Sequence, residues 1–228
     1  THDYGDFAER GLELSCPEAA RWILEGESGY VTEEVPGGEA AEYDREAMAV
    51  LKRTRAKALE ILAESDISKA LALLLLYGCQ AQGELDGEAE RPFDRAAAWE
   101  TAKAMARPGD PAAVLEFFSG LEILTDTWRR RLHTPEPGDW DRRTENLLRY
   151  LVNRYWLQAV SDYDLYGRVK FMVISATLLR LLGGDFRETA QLFSKEIEND
   201  AENLDAILDA AYDSPIFTDA KLLGMLLQ

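Results

Sequence analysis

Two short segments gather side chains that could do chemistry. The first is Leu14-Ser15-Cys16-Pro17-Glu18-Ala19-Ala20-Arg21, with a thiol, a carboxylate and a guanidinium close together. It has the form of a helix start. Ser15 can accept from the first free amides, and Glu18, three residues on, can reach back in a capping box. Pro17 falls in the first turn, where its missing N–H is no loss. Cys16 then lies at the positive end of a helix dipole, which favours a thiolate. That makes Cys16 a candidate metal ligand or reactive thiol; a small packed cysteine is the structural alternative. Glu18 is a candidate proton acceptor. Arg21 is a candidate for substrate binding, or for pairing with Glu18, because a spacing of three puts both on one side of a helix.

The second segment is Phe193-Ser194-Lys195-Glu196-Ile197-Glu198-Asn199-Asp200. Phe193 and Ile197 are four apart and should face the core. Glu196 borders that face, and Glu198 points further out. A half-buried Glu196 requires a cationic partner. Arg168 and Lys170, on the otherwise apolar stretch before it, are the candidates. An ion pair fixing helix order is one reading. The other is a catalytic or substrate-holding carboxylate that receives a lysine ammonium, with Arg168, Lys170 and Glu198 contributing to the substrate site.

Other chemistries lack their residues. A doubly wound nucleotide domain needs a glycine-rich turn between strand and helix, and the pairs Gly37-Gly38 and Gly183-Gly184 follow no strand. His133 stands beside no nucleophile motif. Cys16 and Cys79 are too far apart in sequence for a disulfide framework, a zinc knuckle or an iron–sulfur cluster. Two cysteines and no visible leader peptide give a cytoplasmic expectation. The longest strongly apolar stretch, Ala70 to Tyr77, is far short of the roughly 20 residues that cross a bilayer, so no membrane partner is expected. The first residue is Thr1 rather than Met, which gives the expectation of a fragment.

The formal charge of −17 argues against nucleic acid as a partner, since phosphate binding needs a basic stripe. The charge sits at the two ends, over 1–46 and 185–228, while 47–184 balances. Either the acidic ends carry solvated helix faces, or they pack beside the basic stretches at Lys52-Arg53, Arg129-Arg130-Arg131 and Arg142-Arg143.

The elements that must position these residues are helices. Apolar residues recur at spacings of three and four in nearly every periodic segment. One stripe runs from Met48 to Leu62, and another from Val114 through Phe118, Leu121, Leu124 and Trp128 to Leu132. Residues 66–82 are apolar on most sides and should be central. Leu147 to Ala159 is a clean amphipathic face. Asp162 is placed to cap a helix over about 163–182 that stops at Gly183-Gly184. Three shorter helices follow. The expectation is an all-α protein, a single multi-helix bundle of about eight to ten helices. Its residues 1–40 are the irregular part, with a capped helix at 16–25, and 41–228 form the bundle.

The segment Leu14 to Arg21 resembles the LSCPEAAR signature of the bacterial flagellin lysine-N-methylase family. Later segments follow in the family's order: Arg53 to Leu62, Leu73 to Leu85, Leu121 to Trp128, Glu145 to Tyr155, Asp164 to Ser175 and Phe193 to Leu204. The resemblance implies methyl transfer from S-adenosylmethionine to flagellin lysines. It also implies a cysteine-rich region holding an iron–sulfur or other metal centre, which nothing before Leu14 matches, so this chain is expected to be the helical C-terminal part. The family's histidine stands where this chain has Asn199, which cannot act as a general base at neutral pH. On this reading the helices hold the protein substrate or cover the metal centre, with Glu18 and Glu196 as catalytic candidates. The alternative is a non-catalytic protein-binding or scaffold module. The oligomeric state is not legible.

Overall fold

The helix Leu165–Leu182 is buried on nearly every side, including Gly167, Arg168 and Lys170, which fixes it as the axis of the protein. A computed structural model describes residues 39–227, with side chains from Arg45 onward. The segment before residue 39, including the expected helix at 16–25 with Cys16, Glu18 and Arg21, lies outside the described residues.

Ten α-helices follow in order among the described residues. They are α1 (Glu39–Ile61), α2 (Ile67–Leu85), α3 (Arg95–Met105), α4 (Pro111–Ser119), α5 (Asp126–His133), α6 (Arg142–Tyr155), α7 (Leu165–Leu182), α8 (Phe186–Phe193), α9 (Ala201–Asp213) and α10 (Asp219–Leu226). A 3-10 turn, Trp156–Val160, extends α6, a π turn, Ser194–Glu198, extends α8, and a short 3-10 turn, Pro215–Phe217, leads to α10. No strand occurs among the described residues; one isolated bridge joins Glu136 to Gly183. The all-α multi-helix bundle expected from periodicity is the observed architecture.

The central pair is α2 and α7, each too apolar for any but an interior position. They cross at Gly78, where a Cβ would fall 2.6 Å from Val169 Cγ1. Helix α1 lies along α2 and meets the Trp156–Val160 turn. There Trp156 Nε1 donates to Thr54 Oγ1 (3.0 Å), and the Thr54 hydroxyl donates back to Val50 O (2.9 Å). Helices α6, α8 and α9 pack on α7, and α3 and α10 pack on α2. Gln82 ties α2 to the start of α7: its carbonyl oxygen accepts from the amides of Leu165 (2.8 Å) and Tyr166 (2.9 Å).

Two local expectations are corrected. The stripe from Val114 to Leu132 is two helices, α4 and α5, separated by 120–125. Leu124, assigned to the stripe, is 53% exposed. The cap of α7 is Asp164, which accepts from Gly167 N–H, and Asp162 pairs with Arg168 instead. Of the basic stretches named above, the Arg129-Arg130-Arg131 stretch meets a C-terminal acid, through the pair of Arg131 with Glu188; Glu198 pairs with Arg154 and Asp219 with Lys170, both outside those stretches.

Candidate functional site

The site starts with an interruption in a helix. After Phe193, the chain widens into the π turn Ser194–Glu198, closed by Asn199 N–H donating to Ser194 O (3.0 Å). A π turn holds an extra residue per turn, so side chains beyond it rotate away from α-helical register. Phe193 and Ile197 are buried, as their spacing requires. The widening also turns Glu198 inward, against the expectation that it points out: its side chain is wholly buried. Glu196 is wholly buried as well.

Glu196 meets neither Arg168 nor Lys170. Its Oε2 accepts from Leu124 N–H (2.7 Å) and its Oε1 from the Thr125 hydroxyl (2.5 Å). Thr125 in turn caps α5 by accepting from Trp128 N–H. The carboxylate thus sits at the positive end of α5, where amide dipoles and a hydroxyl stabilise its charge without a cation. Asn203 completes the joint: its Nδ2 donates to Glu122 O (2.9 Å) and Glu196 O (2.8 Å), and its Oδ1 accepts from Glu122 N–H (3.1 Å). These bonds hold open the break between α4 and α5.

Glu198 has different surroundings. Its Oε1 accepts from the Tyr155 hydroxyl (2.8 Å), and Arg154 Nε lies 3.5 Å away. Arg154, on the last turn of α6, stacks over the rings of Tyr150 and Tyr155, 5.9 and 5.4 Å from their centroids, and donates from Nη1 to the Tyr150 hydroxyl oxygen. Burial, then the charge of Glu198, pushes the Tyr150 hydroxyl up to about 12. The same two causes hold the Tyr155 hydroxyl well above its ordinary value. Both stay protonated at neutral pH. A buried carboxylate and two aromatic faces therefore surround one cation. That cation belongs to a side chain 40% exposed to solvent.

Arg168 and Lys170 belong to another network on α7. Arg168 makes a two-pronged pair with Asp162 (2.9 and 2.8 Å) and donates to Asp164 O. The Lys170 ammonium lies 3.3 Å from Asp219 and near the rings of Tyr166 and Tyr212. The Tyr166 and Tyr212 hydroxyls donate to Asp219 and Asp164, which satisfies the acids from the far side. Both cations are thus held within the chain.

The expected site therefore separates into a structural carboxylate, Glu196, and a cation site at Glu198. Tyr150, Arg154 and Tyr155 were not singled out from sequence as site residues, although they lie in the Glu145–Tyr155 stretch; only the spacing of four between Tyr150 and Arg154 hinted at a stacked pair. Among the described residues, no group of three or more His, Cys, Asp and Glu could hold a metal, and Cys79 is exposed and alone. These residues do not fit an iron–sulfur or other metal centre. No helix among the described residues is long and apolar enough to cross a membrane. Compared with protein families, curated proteins and solved structures, the chain matches none.

Proposed function

We propose that the chain is the substrate-holding helical part of a protein resembling the flagellin lysine-N-methylases, and that Glu198, Tyr150 and Tyr155 receive the substrate lysine. The observation that carries this reading is the filled cation site: a wholly buried carboxylate covered by an exposed guanidinium between two tyrosine rings. A lysine of a protein partner would displace Arg154 outward and set its ammonium against Glu198, keeping the ion pair and the aromatic contact. The acidic surface raises the local concentration of a lysine-bearing partner. The acceptor amine must lose its proton before it can be methylated. The described helices hold the lysine, and methyl donor chemistry falls to residues outside them.

The experiment is calorimetric titration of the full chain with a lysine-containing flagellin peptide. Glu198→Gln should weaken binding about ten-fold or more, the cost of losing a charged hydrogen-bond partner. Arg154→Ala, on the surface, should leave the fold intact and strengthen binding by removing the competing cation. Binding indifferent to both changes would sink the reading. Radiolabelled methyl transfer from S-adenosylmethionine to the same peptide separates the methylase from a scaffold. A non-catalytic binding module is the second reading. It is favoured by the internal engagement of Glu196, Arg168 and Lys170.

A further inference from the structure

A cavity of about 360 Å³ lies at the C-terminal end of α7, apart from the Glu198 site, and its size suits a small molecule. The loop after α5 forms one wall by running along the end of α7: Glu136 N–H donates to Leu182 O (3.1 Å) and Gly138 N–H to Arg180 O (2.9 Å). Gly183 and Gly184, with φ of 52° and 68°, form another wall of bare backbone. A Cβ at Gly183 would fall 1.7 Å from Glu136 O, so the loop can approach only a glycine.

The charges on these walls are unevenly matched. Arg143 pairs with Asp141 at 2.5 Å. Arg180 has no carboxylate partner among the described residues. Its Nε donates to Gly138 O (3.3 Å), its Nη1 donates to Met225 O (3.2 Å), and its guanidinium stacks 4.9 Å from the Trp140 centroid. Those contacts fix its plane, and its Nη2 makes no hydrogen bond to a described residue. Asp139, on the same cavity, makes no hydrogen bond or ion pair with a described residue, Arg180 included. Leu179 and Phe186 also line the cavity, with the Arg143 guanidinium over the Phe186 ring, 5.1 Å from its centroid. At a chain charge of −17 the surrounding field disfavours a bare anion but not a neutral zwitterion.

We propose that this cavity binds a small zwitterion of the α-amino-acid class. Its carboxylate takes the free N–H groups of Arg180, its ammonium lies at Asp139, and a short apolar side chain packs on Leu179 and Phe186. The test is titration of the full chain with L-norleucine, beside hexanoate and hexylamine, which each carry half of its charge. Norleucine binds with saturation and more tightly than either half. Arg180→Gln weakens it about ten-fold or more, because a charge-assisted pair is lost. Arg180 also holds Met225 O, so Asp139→Asn, on the exposed rim, gives a second reading: it weakens norleucine and leaves hexanoate unchanged. No saturable binding of norleucine, hexanoate binding as tight as norleucine, or norleucine binding unaltered by Asp139→Asn overturns the proposal.

Discussion

Glu196 and Glu198 lie two residues apart in one π turn, and their partners separate their roles. Glu196 accepts from one amide and one hydroxyl of the segment between α4 and α5, so it acts on the backbone of that break. Glu196→Ala leaves both donors unanswered in a part-buried joint and should cost about 3 kcal/mol in urea unfolding. Glu196→Gln keeps one acceptor oxygen and should cost about half that. Near-zero cost for the alanine variant would return Glu196 to the list of functional carboxylates. The tyrosines give a pH dependence of definite sign. Burial first, and then neighbouring acids, raise the hydroxyls of Tyr150, Tyr155 and Tyr166 above their ordinary value of 10.0. A raised folded-state pKa means that stability is fully present below pH about 10, where the unfolded tyrosine begins to ionise. It is lost as pH rises toward the folded value, about 12 for Tyr150. The tyrosinate absorbance that the parent chain shows and a chain with Tyr150→Phe, Tyr155→Phe and Tyr166→Phe lacks should therefore appear together with loss of helical signal between those limits. That difference appearing at pH 10 in a still-folded chain would contradict the burial of these rings.

At the scale of elements, much of the acid surplus has a local use. Asp66, Asp94, Asp110, Asp141, Asp164, Asp185 and Asp200 each accept from an amide in the first turn of a helix. An aspartate there satisfies a free donor and complements the dipole. Asp66 is the clearest case: bonds from the Ser68 hydroxyl, then from the Lys69 amide, hold its carboxyl below the ordinary value. A depressed folded-state pKa contributes stability above the unfolded value, near pH 4, and loses it as pH falls through the folded value. Asp66→Ala should lower stability by about 1 kcal/mol at pH 7 and by less below pH 3, read as thermal midpoints against the parent chain. Helices of this kind are legible in sequence because period and cap are both local, which is why 66–82 and the face from Leu147 were foreseen. The break at 120–125 was not, because part of its support is Glu196, 72 residues from Leu124, although Gly120 and Thr125 cap its two ends locally. The partner of Glu198 was missed for a related reason: the direction of its side chain depends on one extra residue in a turn, and helical periodicity assumes there is none. Asp162 precedes an apolar run as a cap does, but Asp164 sits two residues nearer the first helical amide and caps it.

Taken whole, the described helices share one hydrophobic core, from Ala47 on α1 to Leu226 on α10, with Trp128 and Trp156 both buried in it. A single core predicts one cooperative transition, in which damage at the centre is felt everywhere. The centre is the crossing of α2 and α7 at Gly78, whose missing side chain lets Val169 approach. Helix propensity alone would make Gly78→Ala stabilising by about 1 kcal/mol. The methyl would meet Val169 Cγ1 at 2.6 Å, among buried side chains with little room to move. Overpacking of that kind costs about 1–3 kcal/mol, so the packing term wins and the net change should be destabilising. Trp156 packs against Tyr77, the neighbour of Gly78, whereas Trp128 lies on α5. In chains that keep one of these two as the sole tryptophan of the five, urea midpoints by fluorescence should therefore fall on Gly78→Ala by the same amount as the helical signal. A midpoint that falls at Trp156 and not at Trp128 would mean that α4 and α5 unfold as a unit of their own, held to the rest mainly through Glu196 and Asn203.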